Sequence, residues 1–239
     1  MTWPQDWQTN VTFLLRWAHL LGGIAWIGLL YWFNLVNVNF QKEIDASVKS
    51  KVNPPLLSRT LWWFRWAAVL TWVTGVIYYA ILLGTENISA KLGIVLVVWI
   101  LAWLLLAALY RLSVAEGPLK DGRVLALVIA VVVVAAAWVA VGSVRQGGSN
   151  RTMAIGIGGG LGTIMFINVW SIIWPLQKKI IATTRAAAES GTPAPAEMPK
   201  WARRAFLASR TNTWLSIPML FFMGAASHFP IFGTTPTTP

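Results

Sequence analysis

The 239-residue chain holds two histidines, His19 and His228, and both fall in or beside long apolar runs. An imidazole in such surroundings serves as a hydrogen-bonded packing group, a proton carrier or a metal ligand. Arg16 stands three residues before His19, on the same face of a helix. Its planar guanidinium suits a carboxylate, a haem propionate or another anion in a bidentate pair; snorkelling to the headgroups is the alternative. Arg65 occupies the corresponding situation at the other membrane face, where snorkelling is the expected use. Asn34, Asn37, Asn39 and Asn168 also interrupt apolar runs, and they are expected to bond between helices before they bind substrate. Gly156, Gly158, Gly159, Gly160 and Gly162 include two overlapping G-x-x-x-G spacings. Without a strand and a βαβ unit these make no dinucleotide fingerprint. In a membrane helix they let a neighbouring backbone approach, or, as the lesser reading, a flat cofactor.

The elements that carry these residues follow from hydropathy. Hydrophobic residues make up 56 % of the chain and charged residues 11 %, against about 25 % charged in soluble domains. Apolar runs cover about 11–40, 61–83, 92–110, 124–143, 153–181 and 206–227. About twenty apolar residues cross a hydrocarbon core as helix, so the reading is all-α: one membrane domain over 1–239 with about six transmembrane helices. The first and fifth runs approach thirty residues and are expected to tilt or project. Pro54 and Pro55 fall in the first connection, and Pro175 and Pro218 within or near helices. Trp3 and Trp7 read as interfacial anchors, and the first run is too long for a signal peptide.

Alternate connections carry fourteen Lys and Arg on one side and three on the other. The positive-inside rule puts the fourteen in the cytoplasm and both termini outside. That distribution also assigns the net charge of +11 to membrane orientation and anionic headgroups, and no recognition module for nucleic acid is present. The stretch at about 183–203 is expected to be a flexible cytoplasmic loop. With no cysteine, these residues cannot attach a haem covalently, so any haem would be a non-covalent haem b. A parallel repeat of helices 1–2 and 5–6 is suggested by Gly22-Gly23 and Gln41-Lys42, which fall on Gly158-Gly159 and Gln177-Lys178 when moved by 136 positions. LLSRT at 56–60 and LASRT at 207–211 then match in the following helices.

Three blocks, RWAHLLGGIAWIGLLYWFNLVN at 16–37, GGLGTIMFINVWSIIWPLQKKII at 159–181 and SRTNTWLSIPMLFFMGAASHFP at 209–230, resemble the membrane domain of the bacterial membrane-bound urate oxidase (urate hydroxylase) family. The resemblance implies a multi-pass protein of the bacterial cytoplasmic membrane that oxidises urate or a related small molecule. It also implies electron transfer to a cytochrome c, which for a chain without cysteine is expected to be a separate periplasmic partner. Arg16, His19, Asn168 and His228 are the family-like polar positions and the expected catalytic set. His19 and His228 are the expected ligands of a haem iron, with Arg16 beside them, if the two imidazoles converge near the outer face. The alternative is a non-catalytic haem b-binding or structural subunit of a respiratory or photosynthetic electron-transfer complex.

Overall fold

The computed structural model describes residues 4, 6–115, 117–191 and 193–233, which form six long helices and no strand among the described residues. Helix α1 spans Trp7–Glu43 with a π turn at Trp32–Asn37, and α2 spans Ala46–Thr85. Helices α3 (Lys91–Leu112) and α4 (Gly122–Val144) follow, the latter after a 3-10 turn at Pro118–Lys120. Helix α5 spans Asn150–Ser190 with a π turn at Val169–Ile173, and α6 spans Met198–His228. Trp3 lies outside the described residues, while Trp7 is exposed at the start of α1.

Five of these helices are long and apolar enough to cross a membrane. The sixth, α6, is less apolar for two reasons. Its first half carries Lys200, Arg203, Arg204 and Arg210, and its buried face carries Asn212, Thr213 and Ser216. Such groups are tolerated where protein satisfies them. Together the helices make a multi-pass membrane bundle.

Hydropathy located the membrane-crossing parts of the helices better than their ends. Helix α2 begins at Ala46 and runs through Pro54 and Pro55, so the first connection is far shorter than the apolar runs suggest. The expected loop at 183–203 is largely helical: α5 continues to Ser190, stops at Gly191 with φ of 68°, and α6 restarts at Met198 with a proline in its first turn. Gly191 takes the left-handed conformation that ends helices at little cost.

Helix α5 is the axis of the bundle, since its apolar window is 72 % buried against 22 % for those of α1, α3 and α4. In lipid, burial of apolar surface adds little, and association rests on close packing and interhelical hydrogen bonds. The glycines of α5 supply the first. A Cβ on Gly160 would collide with the Trp99 indole of α3, and one on Gly156 would lie 3.0 Å from the Tyr79 hydroxyl of α2. Asn168 supplies the second: its Oδ1 accepts from Trp103 Nε1 at 3.1 Å, and its Nδ2 donates to Asn212 Oδ1 at 2.8 Å. Asn212 then donates to the Met165 carbonyl at 3.0 Å, which closes a buried link between α3, α5 and α6.

Candidate functional site

Helices α1, α2, α3, α5 and α6 enclose a cavity of about 960 Å³. Among the aromatic residues that border it, Tyr31 and Trp72 are partly open while Trp26, Tyr79 and Trp99 are buried in the wall, and its polar lining includes Arg16, His19, Tyr78 and Arg151. The indole of Trp72 is fixed by its Nε1 donating to Thr163 Oγ1 at 3.1 Å and by stacking on Phe166 at 4.6 Å.

His19 is half-buried between α1 and α2, with Nδ1 2.8 Å from the Thr71 carbonyl. A carbonyl only accepts, so Nδ1 carries the proton and Nε2 is left as the acceptor of the neutral ring. The imidazole fits because position 75 is glycine: a Cβ there would come within 2.9 Å of His19 Cε1 and 3.0 Å of Nδ1. Arg16 is exposed and borders the same cavity. Arg151 reaches it from the first turn of α5, with its guanidinium carbon 5.6 Å from the Tyr78 ring centre. The Arg151 Nε is buried without a hydrogen-bond partner. The start of α5 is held by Glu86 Oε2, which accepts from Thr152 Oγ1 at 2.6 Å and from the Ser149 amide at 3.3 Å.

Of the four expected site residues, Arg16 and His19 border the cavity, and Asn168 and His228 do not. Asn168 is fully buried in the link between α3, α5 and α6, which is the interhelical role its chemistry favoured. His228 is exposed as the last residue of α6. A bis-histidine haem b therefore does not fit this cavity, because only one of its two expected ligands borders it. No cluster of three or more His, Asp or Glu suited to a metal occurs among the described residues.

Two contributors escaped the sequence reading. Arg151 counted only as one of three basic residues on the sparsely charged side, although its place at the head of the glycine-rich helix was the available signal. Gly75 was one glycine within the second apolar run, and nothing local marks it as the seat of a histidine from another helix. Arg65 has neighbours that the sequence did not reveal. Its guanidinium lies over the Trp174 ring at 3.9 Å and near Trp170 at 5.8 Å, a cation–π site between α2 and α5.

The glycines that border the cavity are of two kinds. Gly158 packs against α6, where a Cβ would be 3.2 Å from the Met219 carbonyl. At Gly28 and Gly162 a Cβ would meet nothing within 4 Å. A glycine inside a helix costs about 1 kcal/mol relative to alanine, and at these two positions no close helix contact explains it.

The sequence profile of the urate oxidase N-terminal family matches residues 46–238, most of the chain. The chain belongs to the urate oxidase N-terminal family. No curated protein and no solved structure shows significant similarity to it. The match to this family begins at the start of α2, so Gly75, Arg151, Asn168 and His228 fall inside it and Arg16 and His19 before it. The relationship to urate oxidase thus rests on four of the five helices around the cavity, α2, α3, α5 and α6, including the one that supplies Arg151.

Proposed function

We propose that the cavity binds urate or a related planar, anionic purine and that the chain is the membrane part of a urate-oxidising system in the bacterial cytoplasmic membrane. The observation that carries this reading is the presence of Arg16, His19 and Arg151 on one aromatic-walled cavity in a member of this family. Two guanidiniums supply planar donors for an anion, and the aromatic rings supply stacking faces for a flat heterocycle. His19, with Nδ1 committed to the Thr71 carbonyl, offers Nε2 to take a proton from substrate or from an attacking water. Oxidation of urate releases electrons as well as protons. We assign their acceptor to a c-type cytochrome or redox subunit beyond these 239 residues, which contain no cysteine for a covalent haem. The fourteen-to-three distribution of basic residues supports outside termini and a periplasmic acceptor.

The test is urate-dependent reduction of cytochrome c by the protein in lipid nanodiscs, together with urate binding by calorimetry. Arg151→Gln is expected to weaken urate binding about tenfold or more, since it removes a charge-assisted donor. His19→Gln should lower turnover about a hundredfold while changing urate affinity less, the pattern of a lost proton acceptor. Absence of urate binding by the wild-type protein, or full activity in both variants, would refute the reading. A tag after Pro239 reachable only from the cytoplasm would refute the orientation.

A further inference from the structure

The cytoplasmic ends of α3 and α6 are joined through Arg203. Its Nε donates to the Ser113 carbonyl at 3.2 Å and its Nη2 to the Lys120 carbonyl at 2.8 Å. Ser113 caps α3 and Lys120 ends the short turn before α4, so these bonds fill carbonyls that the helices leave open. They also fix the place of the next residue of α6, Arg204.

Arg204 is half-buried. Its Nε–H is shut in without an acceptor, which closes that nitrogen to any ligand and shows how tightly the stem is held. The terminal nitrogens are not shut in, and among the described residues neither a hydrogen bond nor a carboxylate takes them. The charged group that acts on Arg204 is a second guanidinium, that of the exposed Arg111 near the end of α3. Guanidiniums keep their charge at any physiological pH, and like charges set side by side cost stability. The pair therefore calls for an anion that the described residues do not supply.

Depth and surroundings indicate which anion. Trp103 of α3 and Asn212 of α6 meet at Asn168. Arg111 stands eight residues from Trp103, and Arg204 eight from Asn212, both toward the cytoplasm, so each lies about 12 Å beyond that link. Lys91 and Arg111, at the two ends of α3, are separated by about 30 Å of helix, the thickness of a hydrocarbon core. The arginine pair is thus level with the phosphates of the inner leaflet. From Arg111 toward the membrane centre, Ala108, Leu104 and Leu101 continue along α3 at helical spacing, and all three are exposed, the leucines at 50 % and 55 %. Cations at the headgroup level followed by an open apolar stripe match the order in which a lipid presents its parts.

We infer that Arg111 and Arg204 form a site for an anionic phospholipid of the cytoplasmic leaflet, with the phosphodiester held by the two guanidiniums and an acyl chain against Ala108, Leu104 and Leu101. Guanidinium forks suit phosphate oxygens, and two positive charges favour a headgroup with net negative charge over a zwitterion that carries its own cation. This goes beyond the urate reading and does not depend on it, since Arg151 lies toward the opposite membrane face.

The experiment is native mass spectrometry of the purified, delipidated full chain, titrated with phosphatidylglycerol and with phosphatidylcholine of the same acyl chains, alongside glycerol 3-phosphate as a soluble phosphate. Wild type should hold one phosphatidylglycerol about tenfold more tightly than phosphatidylcholine. Arg204→Gln and Arg111→Gln should each remove most of that preference, while Lys178→Gln, which takes away an exposed cation of α5 on the same membrane side, should leave it unchanged. Thermal unfolding supplies a second readout: phosphatidylglycerol should raise the midpoint of wild type but not that of Arg204→Gln. Without lipid, Arg204→Gln should be at least as stable as wild type, because it relieves the like charges. Arg111→Gln, at an exposed position, serves if Arg204→Gln fails to fold. Equal affinity for the two lipids, or a loss in Lys178→Gln as large as in the arginine variants, would overturn the inference in favour of a diffuse basic surface. Glycerol 3-phosphate binding as tightly as phosphatidylglycerol would overturn the lipid as occupant. Urate binding in the same preparations separates the two readings: urate binding without lipid preference defeats only this inference, and the reverse defeats only the urate proposal.

Discussion

Helices α1 and α2 cross at Gly22, and helices α5 and α6 cross at Gly158. At the first crossing a Cβ would lie 2.7 Å from Thr71 Oγ1 and 3.2 Å from the Ala67 carbonyl; at the second it would lie 3.1 Å from Met223 Cε and 3.2 Å from the Met219 carbonyl. In both pairs the glycine thus meets two residues one turn apart on its partner. The π turns agree as well: moved by the same 136 positions, Trp32–Asn37 falls on 168–173, and the α5 turn is Val169–Ile173. Coincidence of a glycine crossing and a π turn strengthens the case for a parallel repeat beyond the short sequence match.

The pairs diverge in what the shared plan carries. Moving Arg16 and His19 by 136 positions gives Thr152 and Ile155, so the ionisable pair of α1 has no counterpart in α5. Thr152 instead donates to Glu86 and anchors the helix start. Helix α1 begins on a local cap alone, with Asp6 accepting from the Gln8 and Thr9 amides at 3.2 and 2.8 Å, whereas α5 adds to its local cap, Ser149 Oγ accepting from the Thr152 amide at 3.2 Å, the carboxylate of Glu86 from the distant α2–α3 turn. Apart from Arg151 in the first turn of α5, the central pair is therefore committed to packing and closed hydrogen bonds. The peripheral pair, with less of its surface buried, leaves room for chemistry. A helix surrounded on all sides has few positions at which an ionisable group can reach a ligand without costing stability.

That contrast can be broken by substitution. The largest expected effect is Gly160→Ala, which drives a Cβ into Trp99 and disturbs the Trp99 Nε1 bond to the Gly156 carbonyl of 3.0 Å; overpacking of this kind costs about 1–3 kcal/mol or more. Thermal unfolding in detergent should show it clearly, and an unchanged midpoint would remove α5 from the role of packed axis. Asn168→Leu should cost less, about 0.6–1.7 kcal/mol, because it strands the Trp103 donor and the Asn212 amide in a medium where such bonds average below 1 kcal/mol. Glu86→Ala should remove about 1 kcal/mol and loosen the first turn of α5 in hydrogen exchange, since it takes away a cap supplied from another part of the fold.

The smallest effect is expected at the start of α1. The hydroxyl and amide of Thr9 hold the Asp6 carboxyl below the usual carboxylate range. With the folded value depressed, its contribution is present above that usual range and is lost as pH falls through the depressed value. Asp6→Ala should therefore fray only the first turn of α1, detectable as faster amide exchange at Thr9, and should leave the unfolding midpoint and the cavity unchanged. A change in ligand binding in that variant would show that the peripheral pair is less independent of its ends than its local cap implies.

Much of this architecture was legible in the residues themselves. Run length and the scarcity of charge dictate membrane helices, since no other open structure satisfies the backbone in lipid. Asn168 reads as an interhelical bonder and the α5 glycines as contact points from residue type alone; the first role holds, and the second holds at Gly156, Gly158 and Gly160 but not at Gly162. Helix ends were less legible at 46–60 and 183–190, because polar helix outside the hydrocarbon gives no hydropathy signal.

The partners of individual polar groups were decided by three-dimensional neighbours. Sequence could place His19 and His228 toward one membrane side but not say which histidine would meet the cavity, because that depends on helix rotation and crossing rather than depth. It gave Arg65 a route to the headgroups, yet Trp170 and Trp174 of α5, more than a hundred positions away, supply the rings that hold it. It left Arg151 among loop charges and Gly75 among ordinary glycines. Hydropathy and charge are sums along the chain and so determine span and orientation; a binding site is a set of contacts between chain segments, and only packing brings Arg16, His19 and Arg151 to one cavity.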